Sequence, residues 1–464
     1  MAHPGNLTQT ISSNPNELTE AEKKNTMRKV TWRLVPFLMV GYFISYLDRV
    51  NISFAKFGFE GAFDMGPAAY GLAVGIFFAG YLLAEVPSNI MMIRFGARIW
   101  LSRIMISWGV VCALMAAAWS TEAVVVLRFL LGIAEAGFFP GIILYLTYWY
   151  PNRERAKVVA TVMMAIPLAG LIGRPLNGWV LDNLGGLLGL DSWRWIFLIG
   201  GVPAVVLGIV CLVTISDTPA NAKWLSERER AWLVSTVAAE DAQRGQSAPE
   251  GHWAALKNKK VIVLAAIYFL LQCGSYPLIY WMPTVIKGVG KGLDATTVGW
   301  LSAIPFLFAA VSMYLVGKLV QDAQPSRPLI IALTISTLTF AATAFLLGTA
   351  PMLAFLAITV ATMAVQTAKP IFWNLPTSFL AGIGAASGIA LINSLGNAAG
   401  FVSPMAFGWI QGATGSAALS ITVMVATNAL AVLVVVALVV FGRRRTAHVA
   451  TVPAEKEAEK EYAK

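Results

Sequence analysis

Charge is scarce in this chain of 464 residues: Asp, Glu, Lys and Arg together make up 12%, against about 25% in an ordinary soluble domain. A soluble fold needs a solvated polar shell, and so little charge cannot supply one. Histidine is scarcer still, and His3, His252 and His448 all lie outside the long apolar runs. Any proton handled inside those runs must therefore be carried by a carboxylate. The three cysteines, Cys112, Cys211 and Cys273, stand singly in apolar stretches with no CxxC or Cys/His spacing, which argues against a disulfide framework or a metal site. No cofactor loop is visible either, because the Gly- and Pro-rich runs 139–145, 166–175 and 395–404 lack a P-loop lysine. They read as helix-packing and gating surfaces. No nucleophile and base set suggests an enzyme. The opening stretch of about 29 residues is polar and lacks the apolar core of a leader peptide, so no cleavage is expected.

What is abundant is hydrophobic surface, at 57% of residues with a mean hydropathy of +0.69. Spanning a bilayer core of about 30 Å takes roughly 20 apolar residues per helix. Twelve candidate spans follow, at about 31–55, 69–93, 98–118, 122–148, 156–181, 194–214, 260–286, 296–320, 328–348, 352–378, 384–410 and 417–441. Basic residues fill alternate breaks. Lys23, Lys24, Arg28, Lys29 and Arg33 precede the first span, Arg94, Arg98 and Arg103 follow the second, and Arg153, Arg155 and Lys157 follow the fourth. Lys318 and Arg327 flank a later break and Arg443, Arg444 and Arg445 follow the last span, with Lys287 and Lys291 the main exception. Positive charge gathers on the cytoplasmic side, so both termini are expected there. The net charge of +10 thus belongs to the membrane boundary and implies no nucleic acid. The expected organisation is a cytoplasmic tail (1–30), a six-helix half (31–214), a hydrophilic loop (215–259), a second six-helix half (260–441) and a second tail (442–464). Within the loop, SERERAW (226–232) reads as an amphipathic surface helix.

An ionisable group at the bilayer centre costs about 2.5–3.5 kcal/mol on insertion scales. Asp48, Arg49, Glu85, Arg128, Glu135, Arg174 and Lys369 therefore each need a reason, either as functional groups or as fixed interhelical clamps. At 1.5 Å rise per residue, Asp48 and Arg49 lie about 25 Å along an outward helix and Arg128 about 9 Å along an inward one, a similar depth. Asp48 is expected to face Arg128, which leaves Arg49, turned by about 100° on the helix, to meet an anion. Arg128 and Glu135, seven apart, share one helix face. Glu135 is thereby read as a lone carboxylate that carries the coupling proton. Arg174 suggests a second anion contact, while Glu85 and Lys369 are read as gate or clamp residues.

The strings YLDRVNIS (46–53), EVPSNIMM (85–92), RFGAR (94–98), RFLLGIAEAGFFPG (128–141), SDTPANAKWLS (216–226), FWNLPTSFL (372–380) and GIALINSLGN (388–397) cover nearly the whole apolar region. Together they resemble the major facilitator superfamily, and within it the anion:cation symporter branch of tartrate, phthalate and sugar-acid permeases. The superfamily's loop motif is degenerate here, with Asn89 and Ile93 where a Gly and an Asp are usual. The resemblance implies an all-α membrane protein of two six-helix halves, placed as a monomer in a bacterial inner membrane. It implies import of a small organic anion by proton symport, with no cofactor beyond the proton. It points to Asp48 and Glu135 for coupling, to Arg49 for the anion, and to Tyr46, Tyr81, Trp373 and Asn393 as neighbours, while Arg128, Arg174 and Tyr276 complete the expected substrate-binding set. Sodium-coupled or exchange transport on the same fold, or anion sensing without transport, are the competing expectations.

Overall fold

The computed structural model describes residues 18–245, 258–290, 292–319, 326–379 and 384–450. Within them the chain is helical: α1 (Glu20–Phe63), α2 (Pro67–Phe95), α3 (Ala97–Met115), α4 (Thr121–Glu135), α5 (Phe138–Trp149), α6 (Asn152–Met163), α7 (Ala165–Asn183), α8 (Ser192–Thr214) and α9 (Glu227–Gly245). The second half contributes α10 (Lys259–Val289), α11 (Ala295–Leu319), α12 (Ser326–Leu346), α13 (Pro351–Phe379), α14 (Gly384–Thr414) and α15 (Ala417–Ala450). Eleven spans among the described residues are long and apolar enough to cross a bilayer, counting α4 with α5 and α6 with α7 as single spans. The sequence leads one to expect twelve, and α14 is a further helix, enriched in Gly, Asn and Ser. Lys291 and most of the hydrophilic loop beyond Gly245 lie outside the described residues.

The first helix starts earlier than hydropathy implies. Thr19 and Glu22 form a reciprocal capping box, each side chain bonding the other's backbone N–H. Ser226 and Glu229 repeat the device at α9, with Ser226 N–H to Glu229 Oε2 at 2.9 Å. Lys29 then donates to Glu229 at 2.6 Å, tying α9 to the start of α1. That contact fixes which end of the bundle carries the linker. On the same side Asp217 accepts from the Arg98 backbone N–H at 2.8 Å, placing a carboxylate at the N-terminus of α3, where the helix dipole favours it. Two of the quoted strings, RFGAR and SDTPANAKWLS, therefore meet in space.

The two halves join at the end away from the linker. Tyr70 donates to the Tyr280 carbonyl at 2.9 Å, and Lys56 Nζ reaches Thr284 Oγ1 at 3.3 Å. Asp182 of the first half accepts from Ala295 and Thr296 N–H at 3.1 and 2.7 Å, so one half caps a helix of the other. Glycine makes the approach possible. A Cβ on Gly71 or Gly75 would stand 2.7 Å from the carbonyl of Pro404 or Phe401, closer than packed atoms tolerate.

Candidate functional site

Two of the intramembrane charges, Arg49 and Glu135, pair in the first half, in a way that depth alone does not specify. Arg49 lies on α1 and Glu135 is the last residue of α4. The guanidinium Nε and Nη2 of Arg49 both donate to Glu135 Oε1, at 3.0 and 2.7 Å. Glu135 is 1% exposed and Arg49 15%, so the pair is desolvated with a narrow approach left on the arginine side. The second carboxylate oxygen, Oε2, is buried with no hydrogen-bond partner among the described residues. Arg49 also lies over the rings of Tyr46 at 4.9 Å and of Phe77 and Tyr81 at 5.5 Å. An aromatic box of this kind stabilises a cation through the ring quadrupoles.

A break in the helix aims Glu135. Ala136 is non-helical and Gly137 takes φ +84°, so α4 ends at Glu135 and α5 restarts at Phe138. A Cβ at Gly137 would also collide with Ser88. Packing of α4 on α2 is equally tight, since a Cβ on Gly132 would run into the Phe77 carbonyl. Broken helices at mid-membrane are where transporters place their ligand sites.

Asp48 does not meet Arg128. It accepts from Trp108 Nε1 at 2.9 Å, Asn51 Nδ2 at 3.2 Å and Cys112 Sγ at 3.4 Å. Room for it comes from Gly200, where any Cβ would strike the Asp48 carboxylate and the Asn51 amide. Arg128 is buried beneath Phe77, its Cζ 4.7 Å from the ring centre. Its Nε donates to the Ala73 carbonyl at 3.3 Å, while Nη2 has no partner among the described residues. Depth fixed the height of these groups, and helix rotation, set by packing, decided the partners. Glu135 is likewise not solitary, because Arg49 reaches it from α1.

The other candidates spread outward from this pair. Tyr276 in α10 donates to Asn397 Oδ1 at 3.1 Å and packs its ring 4.8 Å from Phe78, bringing the second half against α2. Trp373 stacks in an edge contact with Tyr268 at 5.0 Å, and Asn393 is partly buried on α14. Glu85 and Lys369 are also partly buried, and no ion pair to either is formed among the described residues. Arg174 lies apart from the Arg49 pair. It is 1% exposed, donates to the Gly170 carbonyl of its own helix at 3.2 Å, and covers the Phe306 ring at 3.9 Å. Its Nε has no partner among the described residues, at a seam where the two halves touch.

Three participants escape the sequence reading. Lys56, 2% exposed, pairs with Glu60 at 3.1 Å and lies 4.8 Å from the Trp281 ring centre; the i,i+4 spacing to Glu60 was the available signal. Cys112 holds Asp48, and Gln272 is buried with Oε1 unpartnered, and neither carries a local signature. Among the described residues no three His, Cys, Asp or Glu side chains gather as metal ligands.

Comparison with known proteins agrees with this architecture. The chain is 45% identical, over 86% of its length and 88% of the relative's, to a protein of Agrobacterium vitis named "Putative tartrate transporter". It is 37% identical, over 85% of its length and 91% of the relative's, to a "Quinolone resistance transporter" of Acinetobacter baumannii. The crystal structure of a D-xylose-proton symporter superposes with a TM-score of 0.70 at 16% identity, covering 87% of this chain and 97% of that one, and shows a shared fold. The protein is accordingly a multi-pass membrane transporter rather than an enzyme. With the model of the Major Facilitator Superfamily matching residues 38–404, the chain belongs to that superfamily.

Proposed function

We propose that this transporter imports a small organic anion by proton symport and alternating access, with a carboxylate of the substrate taking the place of Glu135 on Arg49. The observation that carries the proposal is the buried Arg49–Glu135 pair, in which Oε1 takes both guanidinium bonds and Oε2 takes none. While Glu135 is ionised, it competes with the substrate for the same fork. A proton on Glu135 removes the competitor and keeps the site electrically balanced when the anion binds. Proton and anion are thereby bound together, without a cofactor, and linkage makes their affinities mutually dependent. Asp48, buried on the far face of α1, is the second proton carrier in this reading. With the linker side taken as cytoplasmic, as the basic breaks argue, the contacts from Tyr70, Lys56 and Asp182 close the outer gate and Arg49 is reached from inside. The chain acts as a monomer in a bacterial inner membrane. The name of the Agrobacterium vitis relative favours a tartrate-like substrate.

The deciding experiment reconstitutes the full chain in liposomes and measures uptake of labelled tartrate, phthalate and a sugar acid under an acid-outside gradient, with and without sodium. Accumulation accompanied by proton entry without sodium is expected. A strict sodium requirement would assign a sodium-driven carrier, exchange without accumulation an antiporter, and binding without movement a sensor.

A dicarboxylate preference rests on Arg174, buried at the seam between the halves with Nε unbonded. Opening that seam would expose it to a second carboxylate. Leaving such a carboxylate unpaired costs about 2–5 kcal/mol, and about 1.4 kcal/mol already amounts to tenfold. Arg174→Gln is expected to weaken dicarboxylate binding by at least about tenfold while sparing a matched monocarboxylate. Equal losses for both would make Arg174 an interhelical clamp.

A further inference from the structure

At the linker end of the first half lies a cavity of about 790 Å³ whose wall includes Arg33, Arg98, Lys223 and Arg230, with Asp217 the one carboxylate among the described residues that line it. Asp217 is already engaged by the Arg98 backbone and by its guanidinium, at 2.8 and 4.0 Å. Arg33, Lys223 and Arg230 form no ion pair among the described residues. Arg230 donates one bond to the Leu225 carbonyl at 3.3 Å, and its Nε is buried without a partner. The guanidinium of Arg33 rests 5.2 Å from the Trp224 ring centre, and Trp224 is stacked flat on Trp149. Packing thus holds the Arg33 guanidinium at the edge of a space that Lys223 and Arg230 also line. A concave site with three uncompensated cations selects an anion of more than one acceptor oxygen.

The cavity's level in the membrane identifies the source of that anion. Val213, Thr214 and Ile215, the last turn of the apolar helix α8 and the residue after it, form part of the wall. Val213 is 81% exposed and Trp32, beside Arg33, is 72% exposed, which is the pattern of side chains facing acyl chains and of a tryptophan at the membrane boundary. Basic pockets at this level meet lipid headgroups. Arg33 precedes Arg49 by sixteen residues, about 24 Å along the helix, so this cavity is separate from the transport site. We infer that it is a binding site for the phosphate headgroup of an anionic phospholipid, which bridges α1, α3 and the linker.

Native mass spectrometry of the full chain in an uncharged detergent, titrated with phosphatidylglycerol or phosphatidylcholine, tests this. Wild type is expected to retain phosphatidylglycerol at least about tenfold more tightly than phosphatidylcholine. Each surface cation contributes roughly fivefold to attraction of an anionic lipid, so Arg33→Gln/Lys223→Gln/Arg230→Gln is expected to lose about a hundredfold. Lys223→Glu, at an exposed position, supplies a variant whose folding is not at risk and is expected to lose the preference as well. Retention unchanged in both variants overturns the site. Inorganic phosphate bound by wild type with no preference between the two lipids would keep the phosphate chemistry and overturn the lipid source.

Discussion

Glu135→Gln is expected to abolish accumulation of substrate against a gradient while leaving exchange of labelled for unlabelled substrate across the membrane intact. In the native pair an ionised Glu135 occupies Arg49 through two charge-assisted bonds. An anion can displace it only when a proton neutralises it, so above the pH where Glu135 ionises, apparent affinity should fall by about one decade per pH unit. Glutamine has the shape and neutrality of the protonated acid but cannot ionise. Arg49 is then permanently available, anion affinity becomes independent of pH over that range, and the proton gradient has nothing to act on. Calorimetric titration at several pH values, beside uptake and exchange in liposomes, reads both consequences. Full gradient-driven accumulation by the variant, or an unchanged pH slope, would remove Glu135 from the coupling.

Much of this architecture was legible before any coordinates. Hydropathy is a one-dimensional property, and a bilayer turns it into spans, so helices such as α8 and α15 follow directly from their unbroken apolar runs. The linker helix was readable from SERERAW, and Thr19–Glu20–Ala21–Glu22 carries an equally clear capping signature. The helix begins at that signature, at Glu20, well before apolarity begins at 31. Among the charged residues, height was readable and azimuth was not. Asp48 and Arg49 do diverge, as neighbours on a helix must. Which one meets Glu135 depends on Gly200 clearing space for Asp48 and on Gly137 ending α4, and both facts reside in packing between segments far apart in sequence. Depth alone pairs Arg128 with Asp48, whereas packing lays it under Phe77. Lys56 falls one residue beyond the expected span 31–55, where a charge needs no explanation.

Arg49 should show the largest effect on binding, and a double-mutant cycle separates its two duties. Arg49→Ala removes the anion's fork and strands a buried carboxylate whose second oxygen already lacks a partner. Breaking one side of a buried pair costs about 3–5 kcal/mol, so the variant should melt earlier as well as lose measurable anion binding. Loss of binding alone would therefore be ambiguous. Arg49→Ala/Glu135→Gln removes the stranded charge and should recover much of the thermal stability, because two neutral groups no longer require each other. It should not recover binding, since the tyrosine hydroxyls of Tyr46 and Tyr81 supply no charge to replace the guanidinium fork that held the carboxylate. Arg49→Lys should fall between, holding the charge but losing the bidentate geometry and part of the ring contact. Recovery of anion binding in the double variant would show that Arg49 is only a clamp for Glu135 and would move the anion site elsewhere in the cavity. Recovery of stability without binding would fix Arg49 as the group the anion and the carboxylate share, which is the competition on which coupling by this pair depends.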